Sequence, residues 1–344
     1  MIACSLVAHG LATLQAAVAL AAPHSAVCLA DGSYGELTLT ADKPAPGVVV
    51  RAEHPGRARI DGAELSGSHL TLARFKITGE VQVEPGSRKI AILHNRISGG
   101  YFGVEAGPTT STSISDTTIA GNLFAGPFGE DAIRLNRYHD SSDRDPYGVL
   151  IEGNEIRGVR ENGNHSDCLQ SVWGGDGLYF RRNYLHDNRC QGFFVKDQPA
   201  PVAHLVLEDN LMLRNDAPCA PAGSSCGPPE IVQIVGPTRG VRLSSNTIWT
   251  PGNDSPVGLR AGPFGRITVT GNVLFHAWSD WPGPFSPFIQ GGNLVCKWDG
   301  TLPPLGRSSS TSCKPSFLNP AVDDYRVAGG VGIDWAPRDR HYGP

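Results

Sequence analysis

A repeat centred on asparagine runs through most of the sequence and restricts the possible folds more than any other feature. In each repeat, a short alternation of apolar residues ends at Asn and resumes with another apolar pair. The repeated residues, spaced 21 to 36 positions apart, are Asn95, Asn122, Asn154, Asn183, Asn210, Asn246, Asn272 and Asn293. Strands this short cannot bury a face alone, so neighbouring repeats must stack about 4.8 Å apart. We therefore predict one column of asparagines in which each amide bonds the next coil at a tight turn.

The repeat predicts an all-β protein, a right-handed parallel β-helix (solenoid) that forms a single domain over residues 1–344. Its 42 Gly and 27 Pro suit many short strands separated by turns. Leu11, Leu14 and Val18 recur at helical spacing, which predicts an N-terminal capping helix over about residues 11–22. We expect coils from about residue 28 to residue 300 and a closing segment over about 301–344.

Two further segments accompany the repeat, one at each end of the chain. The first runs from Leu14-Gln-Ala-Ala-Val to Ala30-Asp-Gly-Ser-Tyr34, and the second runs from Pro315-Ser-Phe-Leu-Asn to Gly332-Ile-Asp334. With the Asn-centred repeat, they resemble the capping and closing segments of the pectate-lyase-like right-handed β-helix proteins, which include alginate lyases and chondroitinase-type enzymes. The resemblance implies this architecture over nearly the whole chain, and enzymes that act on polysaccharides. The Lys and Arg motifs of the alginate-lyase branch do not occur in their usual sequence context.

The charge of the chain limits its partners. The net charge of −4 indicates no nucleic-acid surface, and no stretch is long and apolar enough to span a membrane. Of the 29 basic residues 23 are Arg, whose bidentate fork suits an acidic polymer. Met1–Gly10 contains no Lys or Arg for the charged region of a signal peptide. We expect a monomer that is secreted or periplasmic, with its signal upstream or removed.

The eight cysteines form an even set in a loop-rich chain, which indicates disulfides and an oxidising compartment. Two pairs bracket short irregular loops, and two more pairs are plausible from their positions. The four predicted pairs are Cys219 with Cys226, Cys296 with Cys313, Cys4 with Cys28, and Cys168 with Cys190.

A second strand follows each Asn strand, and these second strands can be aligned by their alternation. The third and fifth positions are mostly apolar and should point inward. The fourth position then forms an outward row of Glu105, Arg134, Gln170, Phe194, Gln233 and Gly258. The sixth position forms a row of Asn136, Val172, Lys196, Val235 and Arg260. Together the rows predict a groove long enough for several sugar units.

Acidic and amide side chains occupy the first position of the same strands: Asp131, Asp167, Gln191 and Glu230. On adjacent coils, the first two carboxylates would lie roughly 5 Å apart and repel by about 3 kcal/mol. A shared proton, nearby Arg134 or a Ca²⁺ ion held by Asp131 and Asp167 would relieve this repulsion. His165, two residues before Asp167, is a candidate base. Alternatively, these Asp residues only cap the turns that enter each strand.

The alignment assigns candidate roles to these side chains. The predicted catalytic residues are Asp167, His165, Asp131, Arg134 and Lys196. The predicted substrate-binding residues are Glu105, Gln170, Trp173, Phe194, Glu230, Gln233 and Arg260. A lyase would use Arg134 or Ca²⁺ to neutralise a uronate carboxylate and His165 or Lys196 as the base.

Three functions fit these residues. We favour a polysaccharide lyase acting on an acidic, uronate-containing polymer by β-elimination, because the resembled group is rich in lyases and Arg is plentiful. A glycoside hydrolase is the first alternative: adjacent-coil carboxylates at about 5 Å match retaining geometry, and Asp167 with Glu230 at about 10 Å approaches inverting geometry. A non-catalytic carbohydrate-binding surface protein is the second alternative.

Overall fold

The computed structural model describes residues 2–107, 112–139, 147–160, 165–196, 201–213, 231–235, 238–250, 257–260, 264–280, 288–300, 315–327, 330–340 and 342–343. These residues form one parallel sheet of 31 strands that coils about a single axis, plus a separate pair of antiparallel strands. Each coil contributes one strand to each of three faces, which we name sheets A, B and C. The predicted right-handed parallel β-helix is confirmed.

Sheet A contains the strands that precede the repeated asparagines, which we call the ladder asparagines, and the strands of earlier coils that stack with them. They are β1 (Cys4–Ala8), β2 (Ser25–Leu29), β4 (Val48–Ala52), β8 (Arg88–Leu93), β12 (Thr117–Ala120), β16 (Val149–Glu152), β19 (Gly175–Arg181), β22 (Val202–Glu208), β25 (Thr238–Ser244), β28 (Phe264–Thr270) and β30 (Phe288–Gly291). Sheet B contains the strands that follow those asparagines. They are β6 (Lys76–Ile77), β9 (Arg96–Ile97), β13 (Leu123–Ala125), β17 (Glu155–Arg157), β20 (Tyr184–His186), β23 (Leu211–Leu213) and β26 (Thr247–Trp249).

Sheet C contains the strands that were aligned by their alternation. They are β7 (Val81–Val83), β10 (Val104–Ala106), β14 (Ile133–Leu135), β18 (Gln170–Ser171), β21 (Phe193–Val195), β24 (Val232–Ile234) and β27 (Val257–Arg260). Four longer strands bend from one sheet into the next: β3 (Gly32–Asp42), β5 (Ala58–Ala73), β29 (Val273–Asp280) and β31 (Leu294–Gly300). Short strands β11 (Ile114–Ser115) and β15 (Tyr138–His139) lie between sheets C and A, and β32 (Phe317–Asn319) pairs with β33 (Asp324–Val327).

Apolar side chains stack in register inside the helix and form its core. One such column on sheet A is Val50, Leu72, Ile92, Ile119, Ile151, Phe180, Leu207, Leu243 and Val269. All nine are at most 2% exposed. Helix α1 (Leu11–Leu20) packs on the first coil through Leu14 and Val18, as predicted for a capping helix. No described helix has both the length and the apolar character needed to span a membrane.

The ladder asparagines form one buried column between sheets A and B, which confirms the prediction. Asn154 is representative: its Oδ1 accepts from the backbone N–H of Asn122 at 2.9 Å and from Asn122 Nδ2 at 3.0 Å. Its Nδ2 donates to the carbonyl oxygen of Ile119 at 2.9 Å and to Asn183 Oδ1 at 3.0 Å. The corner residue before each Asn must be left-handed, which explains Gly153, with φ of 61°.

A C-terminal strap, which we define as residues 330–340 and 342–343, runs back along sheet B. Gly332 N–H donates to Gly271 O at 2.7 Å, and Trp335 Nε1 donates to Asp209 O at 2.8 Å. Further along, Gly343 N–H donates to Gly121 O at 2.9 Å. The strap therefore contacts coils from that of Asn272 to that of Asn122.

The predicted disulfide between Cys4 and Cys28 is present and ties β1 to β2. The predicted bond between Cys168 and Cys190 is wrong, because Cys168 is a buried free thiol. The strand register explains this: Asp167 pairs with Gln191, so Cys168 lies opposite the residue two positions after Cys190. That offset separates the two Cα atoms by about 8 Å, beyond the reach of a disulfide. The other predicted cysteine pairs include three residues outside the described part of the chain: Cys219, Cys226 and Cys313.

Candidate functional site

The outward row of sheet C has the register that its alternation predicts. Backbone pairing places Glu105 beside Arg134, then Gln170, Phe194, Gln233 and Gly258 on successive coils. The intervening apolar side chains point into the core. Glu230 lies outside the described residues, and for Arg260 only the backbone is described. The row therefore forms a continuous surface along the helix, which we name the sheet C groove.

Not every side chain of this row is available to a ligand. Gln170 and Gln233 are only 5% and 8% exposed. The Gln170 amide donates to Asp167 Oδ2 at 3.0 Å, and Gln233 Oε1 accepts from Gln191. Both amides therefore bind neighbouring side chains, which differs from their predicted role in holding sugar hydroxyls.

The two predicted carboxylates meet, but inside the helix. Asp131 and Asp167 are both fully buried, and the Asp167 N–H donates to Asp131 Oδ1 at 2.8 Å. The first position of each sheet C strand has the same parity as the inward third and fifth positions, so its side chain also points inward. Neither carboxylate reaches the surface of the groove, so a catalytic role for either residue would act through neighbouring groups.

Burial controls the protonation of this pair. Removal from water raises the pKa of Asp131 well above its usual value, and the nearby Asp167 carboxylate raises it further. Burial also raises the pKa of Asp167 to about 6, although hydrogen bonds from His165 and Gln170 oppose the shift. Burial therefore favours the protonated form of Asp131, whereas the hydrogen bonds from His165 and Gln170 favour the ionised form of Asp167.

The raised pKa of Asp167 predicts that stability falls as pH rises from about 4 to about 6. The folded protein holds this proton more tightly than the unfolded chain, whose Asp pKa is near 3.8. Stability therefore decreases as pH rises through the window between the two values. A shift of two units corresponds to about 3 kcal/mol.

Urea unfolding across this pH range should show the loss in the wild type and its absence in Asp167→Asn, which cannot titrate. The difference between the two proteins isolates this carboxyl from all other titrating groups. Parallel pH profiles would contradict the prediction.

His165 connects the buried pair to the surface. Its Nδ1 lies 3.2 Å from Asp167 Oδ2, and its side chain is 50% exposed. The ring lies 5.4 Å from the ring of Phe194, measured between centroids. A carboxylate at Nδ1 favours the tautomer with its proton on that nitrogen, so Nε2 is the ring nitrogen able to accept a proton.

Lys196 and Trp173 lie at the same surface as His165. Lys196 is exposed two positions after Phe194, with the buried Val195 between them, so both side chains point outward. The Lys196 N–H donates to Ser171 O, and the strand register places Lys196 opposite Val172, the residue before Trp173, on the neighbouring coil. Trp173 is 38% exposed. The arrangement combines a base, an ammonium group and an aromatic face suited to a sugar ring.

Arg134 is held by acidic and aromatic neighbours. Its Nη1 lies 2.9 Å from Glu130 Oε1 and 3.6 Å from Asp131 Oδ2, and its guanidinium lies 4.9 Å from the centroid of the Phe102 ring. Tyr101, which the sequence reasoning missed, is 52% exposed, and its hydrogen bond to Glu130 raises its pKa. Its position just before a sheet C strand is the signal that could have identified it.

The described donors fit the predicted Ca²⁺ ion poorly. Ca²⁺ takes six to eight oxygen ligands, whereas Asp131 Oδ2 and Asp167 Oδ1 are two buried oxygens that lack hydrogen-bond partners. The guanidinium of Arg134 already places positive charge 3.6 Å from the first of them. We therefore do not place a Ca²⁺ ion between Asp131 and Asp167.

Among the described residues of the sheet C groove, the early coils are acidic, and an exposed basic side chain lies on a later coil. Five carboxylates on the early coils make no ion pair with any described residue: Glu36, Glu64, Glu80, Glu84 and Glu105. Burial and neighbouring carboxylates raise the pKa values of Glu80 and Glu84. Lys196, by contrast, is exposed on a later coil and has no described acidic partner. An anionic ligand is therefore attracted to the part of the groove beyond Arg134.

Comparison with known proteins identifies the fold and no closer relationship. No family model and no curated protein matches the chain. Among solved structures, pectate lyase Pel9A has a TM-score of 0.51 at 12% identity, covering 97% of this chain and 90% of its own. A mannuronic-acid-specific polysaccharide family 6 lyase from human gut microbiota has a TM-score of 0.50 at 13% identity, covering 87% and 82%. The chain therefore has the right-handed parallel β-helix fold of the pectate-lyase-like proteins.

Proposed function

We propose that this protein is a polysaccharide lyase that cleaves an acidic, uronate-containing polysaccharide by β-elimination. The observation that carries the proposal is the half-exposed His165, held by the buried Asp167 beside the exposed Lys196. The two solved structures at similar TM-scores are lyases by name, which supports this class of activity for the fold.

In this reaction, His165 Nε2 removes the proton from C5 of the uronate. The electron pair of that C–H bond forms the C4–C5 double bond, and the glycosidic bond at C4 breaks. Lys196 donates a proton to the departing glycosidic oxygen. Asp167 accepts a hydrogen bond from His165 Nδ1, so its negative charge stabilises the imidazolium that forms.

Positive charge beyond Arg134 supports an acidic substrate. Loss of a C5 proton is easier when the sugar carboxylate is neutralised, because negative charge builds up on that group. The guanidinium of Arg134 is 20% exposed and already bound to Glu130. Arg134 therefore contributes positive electrostatic potential at the groove more than a direct contact with the sugar carboxylate.

The burial of the paired carboxyl groups disfavours a hydrolase. Glycoside hydrolysis needs two carboxyl groups that contact the glycosidic bond and the sugar. Asp131 and Asp167 have the required adjacency but are completely buried. A hydrogen bond from Asp131 or Asp167 to the sugar would need the coil to open.

The Cys4–Cys28 disulfide fits an oxidising compartment. An extended polysaccharide substrate also belongs outside the cytoplasm. We therefore propose a secreted or periplasmic location.

A panel of acidic and neutral polysaccharides tests the proposed function. We expect acidic polymers to give both ultraviolet absorbance from the unsaturated product and new reducing ends. Reducing ends without absorbance would indicate a hydrolase. The absence of both signals would favour a non-catalytic carbohydrate-binding protein. A His165→Ala preparation, purified identically, controls for contaminating lyases.

A further inference from the structure

Two arginines pair across adjacent coils next to the proposed active site. Arg160 and Arg189 form a parallel β-bridge, which brings their backbones about 4.8 Å apart. Their neighbours Val159 and Cys190 are buried at 0% and 1%, so both arginines lie at outward positions. Arg160 is exposed, and Arg189 is half-buried.

No described acid neutralises this pair. Neither guanidinium makes an ion pair or hydrogen bond with a described residue. Other arginines on these two coils and on the coil before them each have a carboxylate within 3.2 Å: Arg134 with Glu130, Arg157 with Glu155, Arg181 with Glu152, and Arg182 with Asp209.

The nearest described acids on these strands are already bound to other side chains. Glu155 contacts Arg157 at 3.2 Å and His186 at 3.1 Å, and Asp187 contacts His186 at 2.7 Å. Like charges directly opposite each other on paired strands destabilise a sheet. Within the described part of the chain, the two arginines therefore have no acidic partner.

The pair also adjoins the catalytic groups. Ser166 Oγ donates to Arg160 O at 3.2 Å, so Ser166, the residue after His165, lies next to the backbone of Arg160. Arg189 lies two residues before Gln191, which is paired with Asp167. An anion bound by the arginines would thus lie beside the His165–Asp167 pair.

We propose that Arg160 and Arg189 form a subsite that binds an anionic group of the polysaccharide, next to the sugar that is cleaved. This inference rests on the proposed function and specifies its substrate as a polymer with a charged group at this subsite. Guanidinium groups bind carboxylates and sulfates through paired N–H donors, and two on adjacent coils can hold one anion between them. The shared chemistry is an oxyanion, carried by either a uronate or a sulfate ester.

Direct binding separates this subsite from catalysis. Calorimetry in a His165→Ala background would use sodium alginate, sodium polygalacturonate, dextran sulfate and neutral dextran as probes. We expect the double variant Arg160→Gln/Arg189→Gln to bind the preferred polyanion about tenfold more weakly, which corresponds to roughly 1.4 kcal/mol. The matched control is Arg266→Gln, an exposed arginine on β28 whose loss should leave the Kd unchanged.

The outcomes distinguish this subsite from the proposed function. A tenfold loss for a polyuronate identifies a carboxylate ligand, and the same loss for dextran sulfate alone identifies a sulfate. Unchanged Kd values in the double variant would overturn the subsite while leaving the lyase proposal intact. Failure of the His165→Ala parent to bind any polyanion would also overturn the subsite. In that case, the polysaccharide panel with the wild-type protein would still test the lyase activity independently.

Thermal unfolding without ligand gives a second measurement. Because the two like charges repel, Arg189→Gln should keep or raise the Tm. A fall in Tm beyond that of Arg266→Gln would show that the arginines serve the fold, and would overturn the subsite.

Discussion

Replacing His165 by Ala should lower the rate of polysaccharide cleavage by at least about a hundredfold, the usual scale for a lost acid–base group. His165 is the half-exposed imidazole that Asp167 orients toward the sheet C groove. A surface Asp–His pair elsewhere provides a matched control: His204 Nδ1 lies 2.6 Å from Asp176 Oδ1, and both side chains are exposed. His204→Ala should leave the rate unchanged.

Asp167→Asn should cause a loss of similar size, about a hundredfold, for a different reason. An Asn oxygen placed where Oδ2 lies can still accept from Gln170 and from His165. The amide lacks the negative charge that stabilises the imidazolium, so the base becomes weaker while the hydrogen bonds remain. Asp176→Asn is the corresponding control.

Initial rates, with circular dichroism of each variant, measure both effects. Near-wild-type turnover in His165→Ala and Asp167→Asn would show that these residues only support the corner of the coil. The active site would then lie elsewhere on the helix.

Asn154→Ala should lower the free energy of unfolding by at least about 4 kcal/mol, the largest stability change that we expect from one side chain. The substitution removes four buried hydrogen bonds, which join Asn154 to the N–H and Nδ2 of Asn122, the carbonyl of Ile119 and Oδ1 of Asn183. Asn122 Nδ2 still donates to Ile92 O, and Asn183 Oδ1 still accepts from the backbone N–H of residue 154. Each lost bond costs about 0.5–1.5 kcal/mol, and a buried group left unsatisfied, such as the Asn122 N–H, costs about 1–3 kcal/mol.

Urea unfolding of Asn154→Ala and of a surface control measures this cost. Asn319 is exposed on β32 and outside the ladder, so Asn319→Ala should change stability by less than about 0.5 kcal/mol. Equal effects of the two substitutions would mean that the ladder bonds contribute little net stability.

The sequence predicted the register of the fold well because a solenoid repeats one local pattern. Asn95 and Asn122 occur at equivalent places in successive repeats, so stacking the repeats superposes them. The same logic placed Glu105, Arg134 and Gln170 side by side on sheet C.

The burial of Asp131 and Asp167 was not predicted, although the alternation contained the signal. Both precede by two positions an apolar residue that points inward, so both must point inward too. Their charge suggested a surface position. Burial is possible because removal from water favours the protonated form of Asp131. Asp167 Oδ2 accepts a hydrogen bond from Gln170 and lies 3.2 Å from His165 Nδ1.

The pairing of Arg160 with Arg189 escaped the sequence reasoning because the coils differ in length there. Arg160 pairs with Arg189, and Asp167 pairs with Gln191. However, Arg160 lies seven positions before Asp167 on its coil, whereas Arg189 lies only two positions before Gln191 on the next coil. An alignment that starts at the strands cannot reveal which corner residues become neighbours when one corner holds an insertion.

The C-terminal strap changes how this solenoid is expected to come apart. Stacked coils interact only with their neighbours, so an array of this kind can lose structure one repeat at a time from either end. Here Gly343 bonds Gly121, 222 positions earlier in the chain, and Arg340 Nη1 bonds the carbonyl of Arg182 while its guanidinium stacks on Trp335. The late coils cannot peel away until those contacts break, so the strap couples distant repeats into one cooperative unit.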